Sequence, residues 1–413
     1  MRDSYISFSV PSISKLAILF VVALIIFLAY TPQYLFIYFE PGILSKAQKS
    51  WFNLFVFFIW WCYYRTCTID AAPQGWVSKA VSNTNNNGGK LEEENIRWCK
   101  KCQCMKPPRA HHCKKCAKCI PKMDHHCPWT SNCVSHLTFP HFIRFVFYCV
   151  ISMSILAYHL TIRLYFLWQS RHTPAYLGPP TWALLHLLVL LFLNSVILFC
   201  LSILFCRLLY GLVTNTTMIE SWEIERHEAL VHRCRKTGGY VYAVGGHRIL
   251  VEHQEFPYDI GIWKNLCQAM GTKNIFMWFM PFGGAPTIDS AGNWEINGFE
   301  DEDKYWPPPD PEKFQQHLRH KKDVDILQRN ADKLDVSMYA YKMRQNYDLR
   351  RRGHLRDLHS EESFDDCSFS LSDYSYEEEI GMDGERGWTN SDGDRLRDFG
   401  VDEEEAEVIR QCR

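Results

Sequence analysis

The segment from Cys99 to Cys133 holds eight of the chain's seventeen cysteines, interleaved with histidine, lysine and arginine. As a string of donors it reads Cys99-x2-Cys102, then His112-Cys113-x2-Cys116-x2-Cys119, then Asp124-His125-His126-Cys127 and, after five intervening residues, Cys133. C-x2-C pairs at this density point to metal binding in a reducing compartment rather than to a disulfide framework. Structural zinc takes four Cys or His donors in a tetrahedron. Two ions therefore need eight donors, and this segment offers more. Adjacent residues such as His112 and Cys113 do not easily serve one small ion. One consistent solution gives Cys99, Cys102, His112 and Cys119 to a first zinc, and Cys113, Cys116, His126 and Cys133 to a second. Spacing alone does not prove that interleaving. It leaves Cys104, Cys127, His111 and His125 free.

Among these, Cys127 has the neighbours of a nucleophile. A thiolate attacks, and it forms more readily beside a base. His125 can take the thiol proton while Asp124 orients the other imidazole nitrogen. Zinc ligation through His126 and Cys133 would clamp the thiol from both sides. Cys104 lacks such neighbours. A reading of Cys127 as one more zinc ligand stays open.

The elements that must position this loop are long apolar runs. A bilayer core of roughly 30 Å needs about 20 apolar residues in a helix. Four stretches qualify: residues 16–30, about 50–67, 142–168 and 183–210. Arg144 and Arg163 fall near the two ends of the third, where they can snorkel. The connection between the second and third stretches carries eleven lysines and arginines, whereas the other two carry few. The positive-inside rule places the Cys-rich loop and both termini in the cytosol. Asn215-Thr216-Thr217 fits the N-glycosylation pattern but lies on that cytosolic side, where it should stay unmodified. Whole-chain values, a net charge of −1 and a mean hydropathy of −0.21, average a membrane protein with a polar tail and decide nothing.

The expected architecture is an α-helical polytopic membrane protein with four transmembrane helices, a cytosolic two-zinc Cys-rich module and a partly disordered tail. Residues 1–68 hold the first two spans, 69–96 a linker, 97–147 the zinc module and 142–213 the last two spans. Residues 214–310 form a cytosolic region packing on the module, and 311–413 a mixed-charge helix and an acidic, Ser-rich tail. No internal repeat is apparent.

The donor pattern and the four-span layout resemble those of the DHHC protein S-acyltransferases. The resemblance implies that Cys127, with His125 and Asp124, carries a palmitoyl group from palmitoyl-CoA as an acyl-enzyme thioester and passes it to a cytosolic cysteine of a membrane protein. It implies two structural zinc ions, and it places Arg97, Lys106 and His111 where similar enzymes face the CoA phosphates. Three further family elements are matched unevenly. Thr216-Thr217-Met218-Ile219-Glu220 has one residue too many for Thr-Thr-x-Glu, which leaves open which Thr supports Asp124. The Asp-Pro-Gly element is broken as Asp70-Ala-Ala-Pro73-Gln-Gly75, and Asn265 matches a third element. The segments 256–263 and 296–311 resemble the fungal endoplasmic-reticulum branch, which acylates polytopic cargo such as chitin synthase. That resemblance implies an endoplasmic-reticulum membrane address.

The rival functions divide on Cys127. A non-catalytic, membrane-anchored zinc module docking partner proteins would need the metals and the basic loop but no free thiol. Nucleic-acid binding is disfavoured, because the spacings do not fit a C2H2 finger. A thiol protease is disfavoured because its Cys and His come from distant segments.

Overall fold

A computed structural model describes residues 13–86, 98–235, 239–242, 248–299, 306–308, 390 and 394–401. Two helices, α1 (Ile13–Leu35) and α2 (Lys46–Thr68), are followed by the short α3 (Trp76–Asn86). Three hairpins come next: β1–β2 (Trp98–Cys99, Cys104–Met105), β3–β4 (His111–Cys113, Lys118–Ile120) and β5–β6 (His125–Cys127, Asn132–Val134). The long helices α4 (Phe139–Gln169) and α5 (Thr181–Thr214) lead to α6 (Met218–Arg235), the hairpin β7–β8 (Tyr240–Tyr242, Arg248–Leu250), α7 (Ile262–Met270) and α8 (Ile275–Phe279).

Helices α1, α2, α4 and α5 pack antiparallel to their sequence neighbours. Gln33 near the end of α1 bonds Asn53 near the start of α2, at 3.0 Å. The Tyr63 ring, late in α2, meets Phe145, early in α4. Asn194 in α5 donates to the Met153 carbonyl of α4 at 3.2 Å. Leu28, Phe52, Val56, Leu156, Leu160 and Leu187 close the core between the helices. Three stretches, Leu16–Tyr38, Phe139–Gln169 and Thr181–Thr214, are long and apolar enough to cross a bilayer. The second predicted span coincides with α2, whose Trp, Tyr and Asn residues make it less apolar than the others although it runs for 23 residues. It starts at a Ser45/Gln48 capping box, which satisfies two of the helix's orphan amides.

The two arginines of the third predicted span do not snorkel. Arg144 is 1% exposed and donates to the carbonyls of Met277, Trp278, Gly283 and Gly284, which ties the α8 segment to the bundle. Arg163 is equally buried, donating to the carbonyls of His159 and Gly42 beneath the Phe36 ring. A guanidinium removed from water needs such acceptors; every nitrogen of Arg144 finds one, whereas the Nε of Arg163 stays buried without a partner among the described residues.

The Cys-rich module, where no internal repeat was expected, contains one. Cys99, Cys113 and Cys127 recur at fourteen-residue intervals. Each opens a hairpin in the same register, pairing with Cys104, Lys118 and Asn132 respectively. Each hairpin turns through a left-handed non-glycine residue: Gln103 (φ 49°), Ala117 (φ 52°) and Ser131 (φ 50°). A left-handed residue with a Cβ is uncommon, so its recurrence at one place in three turns marks one motif built three times. The tail is not wholly featureless either, since residues 394–401 lie folded against β3.

Chain contacts separate off a second compact unit, Glu228–His253 with Pro308–Trp388. Its described part is the last turns of α6 and the antiparallel β7–β8 hairpin, in which Val241 pairs with Ile249. The predicted mixed-charge helix and most of the predicted acidic tail lie outside the described residues.

Candidate active site

The two predicted donor sets converge. Cys99, Cys102, His112 and Cys119 bring their ligand atoms within 4.8 Å of one another, as do Cys113, Cys116, His126 and Cys133. In the second set His126 Nδ1 lies 3.6, 3.5 and 3.5 Å from the sulfurs of Cys113, Cys116 and Cys133. Bonds of about 2.3 Å to sulfur and 2.1 Å to nitrogen around a tetrahedral zinc put those edges at about 3.6 Å. In the first set the corresponding separations are 3.4, 3.2 and 4.0 Å. Three thiols and one imidazole in each set, with no position left open, fit a structural zinc ion. In both, the amide of the second cysteine donates to the sulfur of the first, at 3.3 Å for Cys102 and 3.4 Å for Cys116.

The interleaving now has a geometric rule. The C-x2-C of one hairpin joins the His and the last Cys of the following hairpin. The third hairpin has no successor, because α4 begins at Phe139 where the next donors would be needed. Its second cysteine is also replaced by Thr130. Cys127 therefore holds the place of a knuckle cysteine but has no tetrahedron to join. Thr130 takes the place of the missing ligand, with its N–H and hydroxyl 3.3 Å from the Cys127 carbonyl.

Cys127 is buried against Phe142, Val146, Leu208 and Leu212 at the end of the helix bundle. Burial pushes its thiol up, yet the hydrogen bond and charge of His125, with the two Thr130 donors, outweigh it and bring the thiol below its ordinary value. For His125, burial opposes the cation. The Asp124 carboxylate and the Cys127 sulfur prevail and raise it to about 10. The two groups thus shift each other toward thiolate and imidazolium.

His125 Nδ1 lies 2.8 Å from Asp124 Oδ2. The other oxygen of Asp124 accepts from the Met218 amide at 2.7 Å. Neither threonine hydroxyl supports Asp124; the backbone at the N-terminus of α6 does. The extra residue in this element is accommodated by a capping box: the Glu220 amide donates to Thr217 Oγ1 at 3.1 Å and the Thr217 amide to Glu220 Oε2 at 2.9 Å. Glu220 in turn receives a bidentate Arg109 at 2.6 and 2.7 Å. Burial alone would raise the Glu220 carboxyl, but Arg109 and Lys122 keep it below its ordinary range.

Arg109, one of the eleven basic residues of this loop, is thus a buried pillar. It reaches Asn215 and stacks over Tyr258, 4.6 Å from the ring centroid, and Trp294, at 4.9 Å. Its left-handed backbone (φ 63°) was the one local oddity, invisible in the residue order. Asn215 is 1% exposed and its amide donates to Tyr258 O and Gln268 Oε1, so no free side-chain nitrogen faces solvent there. Asn265, fully buried, ties the Val213 carbonyl to Asp259 and the Ile260 amide, which braces the end of α5. Asp70 of the broken element bonds Lys118 and the Ala72 amide, holding the second hairpin. Of the three predicted CoA contacts, Lys106 and His111 are 6% and 4% exposed, so a phosphate must enter the module to touch them. Arg97 lies outside the described residues.

A family profile described as DHHC palmitoyltransferase matches residues 92–225. Palmitoyltransferase pfa4 of Aspergillus fumigatus is 47% identical over 408 residues, covering 95% of this chain and 94% of its own length. The corresponding pfa4 of Emericella nidulans is 46% identical, covering 95% and 93%. Palmitoyltransferase PFA4 of Saccharomyces cerevisiae is 33% identical over 298 residues, covering 67% and 74%.

Proposed function

The chain belongs to the DHHC palmitoyltransferase family and is a protein S-acyltransferase, and from that premise we propose that its acyl group is carried as a thioester on Cys127, drawn from palmitoyl-CoA. The Cys127 thiolate attacks the thioester carbonyl of the donor, and the bond to the CoA sulfur breaks. The proton held on His125 goes to the departing CoA thiolate. In the second half-reaction His125 takes the proton of an incoming protein cysteine, whose sulfur attacks the carbonyl and frees Cys127. Asp124, fixed by the Met218 amide, holds the imidazole in place through both steps.

The zinc ions, held by the two Cys3His sets, would supply rigidity alone. The observation that carries the reading is the third hairpin, where Cys127 holds the place of a first knuckle cysteine, Thr130 replaces the second, and neither donor set includes the thiol. The apolar wall of Phe142, Val146, Leu208 and Leu212 suits a saturated chain, which gains about 0.8 kcal/mol per buried CH2. Our reading further takes α1, α2, α4 and α5 as four spans, with the module and both termini cytosolic in the endoplasmic-reticulum membrane. Arg97, Lys106 and His111 serve as CoA phosphate contacts in it, and polytopic cargo such as chitin synthase as the acceptor. The antiparallel packing of all four helices supports the span count.

Incubation with labelled palmitoyl-CoA should label the chain in a bond cleaved by neutral hydroxylamine, and Cys127→Ser should stay unlabelled. Equal labelling of Cys127→Ser would overturn the assignment.

A further inference from the structure

The two zinc knuckles are braced from outside the module by different means. The first is held by α3, where Trp76 Nε1 donates to the Cys119 carbonyl at 3.0 Å. The second is held by a segment that follows it by more than 250 residues of sequence. Val401 forms an antiparallel bridge with Cys113, and the Lys114 amide donates to the Gly400 carbonyl at 3.0 Å. Strand β3 therefore gains an edge partner at the zinc ligand Cys113. Gly400 sits so close to the ligand His126 that an added Cβ would fall 2.7 Å from the His126 Cβ, and its φ of +81° favours glycine. Phe399 and Val401 are buried at 8% and 3% exposure.

The segment is internally shaped for this seat. A short 3-10 turn, Leu396–Phe399, is capped by Asp398 accepting from the Arg395 amide at 2.7 Å. Its other end is fastened to α6, where Trp222 Nε1 donates to the Asp394 carbonyl at 3.1 Å. That is the helix whose first amide, Met218, holds Asp124. The segment thus joins the zinc site that contains His126, next to His125 and Cys127, to the helix that fixes Asp124.

We propose that Asp394–Val401 is a clasp on the second zinc knuckle, which retains the metal at Cys113, Cys116, His126 and Cys133 and positions the Cys127 hairpin against α6. Its effect passes through the knuckle and through Trp222. The inference rests on reading those four residues as a zinc site and goes beyond it.

The test compares the full chain with Trp222→Phe, Gly400→Val and a chain ended after residue 393, all purified in detergent with zinc bound. Zinc release is followed with a chromophoric chelator. Exposed thiols are mapped by alkylation and mass spectrometry. In each variant one of two zinc equivalents should leave at least about tenfold faster while the other keeps its parental rate. The alkylated cysteines should be Cys113, Cys116 and Cys133, not Cys99, Cys102 and Cys119. The rate of acyl-enzyme formation should fall with the KM for palmitoyl-CoA unchanged. A synthetic peptide of residues 390–403 should restore the slow release to the shortened chain. Unchanged release, equal acceleration of both zincs, or exposure of the first knuckle would overturn the clasp. Should a point variant fail to fold, the shortened chain with and without peptide carries the test. A parent chain holding fewer than two zincs would instead overturn the metal reading itself.

Discussion

The three hairpins of the module share a register and a left-handed turn, yet only the first two carry a complete C-x2-C pair; the third gives His126 and Cys133 to the second donor set while its Cys127 joins neither. Two differences separate them. The third has Thr130 where the others have a second cysteine, and it is followed by a helix rather than by another hairpin. A scaffold that normally turns thiols into zinc ligands thus leaves one unligated and meets it with His125 and Thr130. Reactivity here comes from withholding a ligand, with the surrounding rigidity kept.

The largest effect that can break this comparison is at the metal. Cys113→Ser should remove one zinc and with it the acylation, because structural zinc contributes about 10–16 kcal/mol of folding free energy in small sites. Metal analysis and circular dichroism of the purified variant check it. An active, one-zinc protein would mean that the knuckles are not the scaffold. Next in size, His125→Ala should leave both zincs in place and slow acyl-enzyme formation by about 10²–10⁴-fold, the usual weight of a positioned acid–base group. Loss of zinc in that variant would erase the distinction between the hairpins.

Much of this was legible in the residues and some of it was not. C-x2-C spacing carries zinc because two donors on one tight turn meet one ion, so two sets could be proposed from the residues, while their interleaving needed the hairpins that bring the donors together. The fourteen-residue repeat is present in the residues as His-His-Cys at 111–113 and 125–127, but its third copy lacks the second cysteine, and only the shared register and left-handed turn show that all three are one motif. Arg109 and Glu220 are more than a hundred residues apart, and no local pattern signals a partner at that distance. The same holds for Arg144, whose acceptors are carbonyls that any residue could present. Residues 394–401 sit in an acidic, Ser-rich stretch whose composition concealed one buried Phe and one buried Val.

Two smaller effects sharpen the comparison. The Asp124 carboxylate raises His125, and the His125 cation in turn lowers Cys127. Asp124→Asn should therefore lower the imidazole, weaken the cation and move the Cys127 thiol upward. Alkylation of the Cys127 peptide, followed against pH by mass spectrometry, should shift its midpoint to higher pH in that variant. A midpoint that stays put would remove Asp124 from the relay. Smallest, Thr130→Val should cost one hydrogen bond to the thiolate, about 0.5–1.5 kcal/mol or roughly two- to tenfold in acylation rate, with both zincs retained.

The most direct measurement is native mass spectrometry of the chain after brief exposure to palmitoyl-CoA. The account predicts one ion carrying a single palmitoyl group and two zincs together, with the acyl group located on Cys127 after digestion. A third zinc in the unacylated protein, loss of zinc on acylation, or palmitate on another cysteine would contradict it.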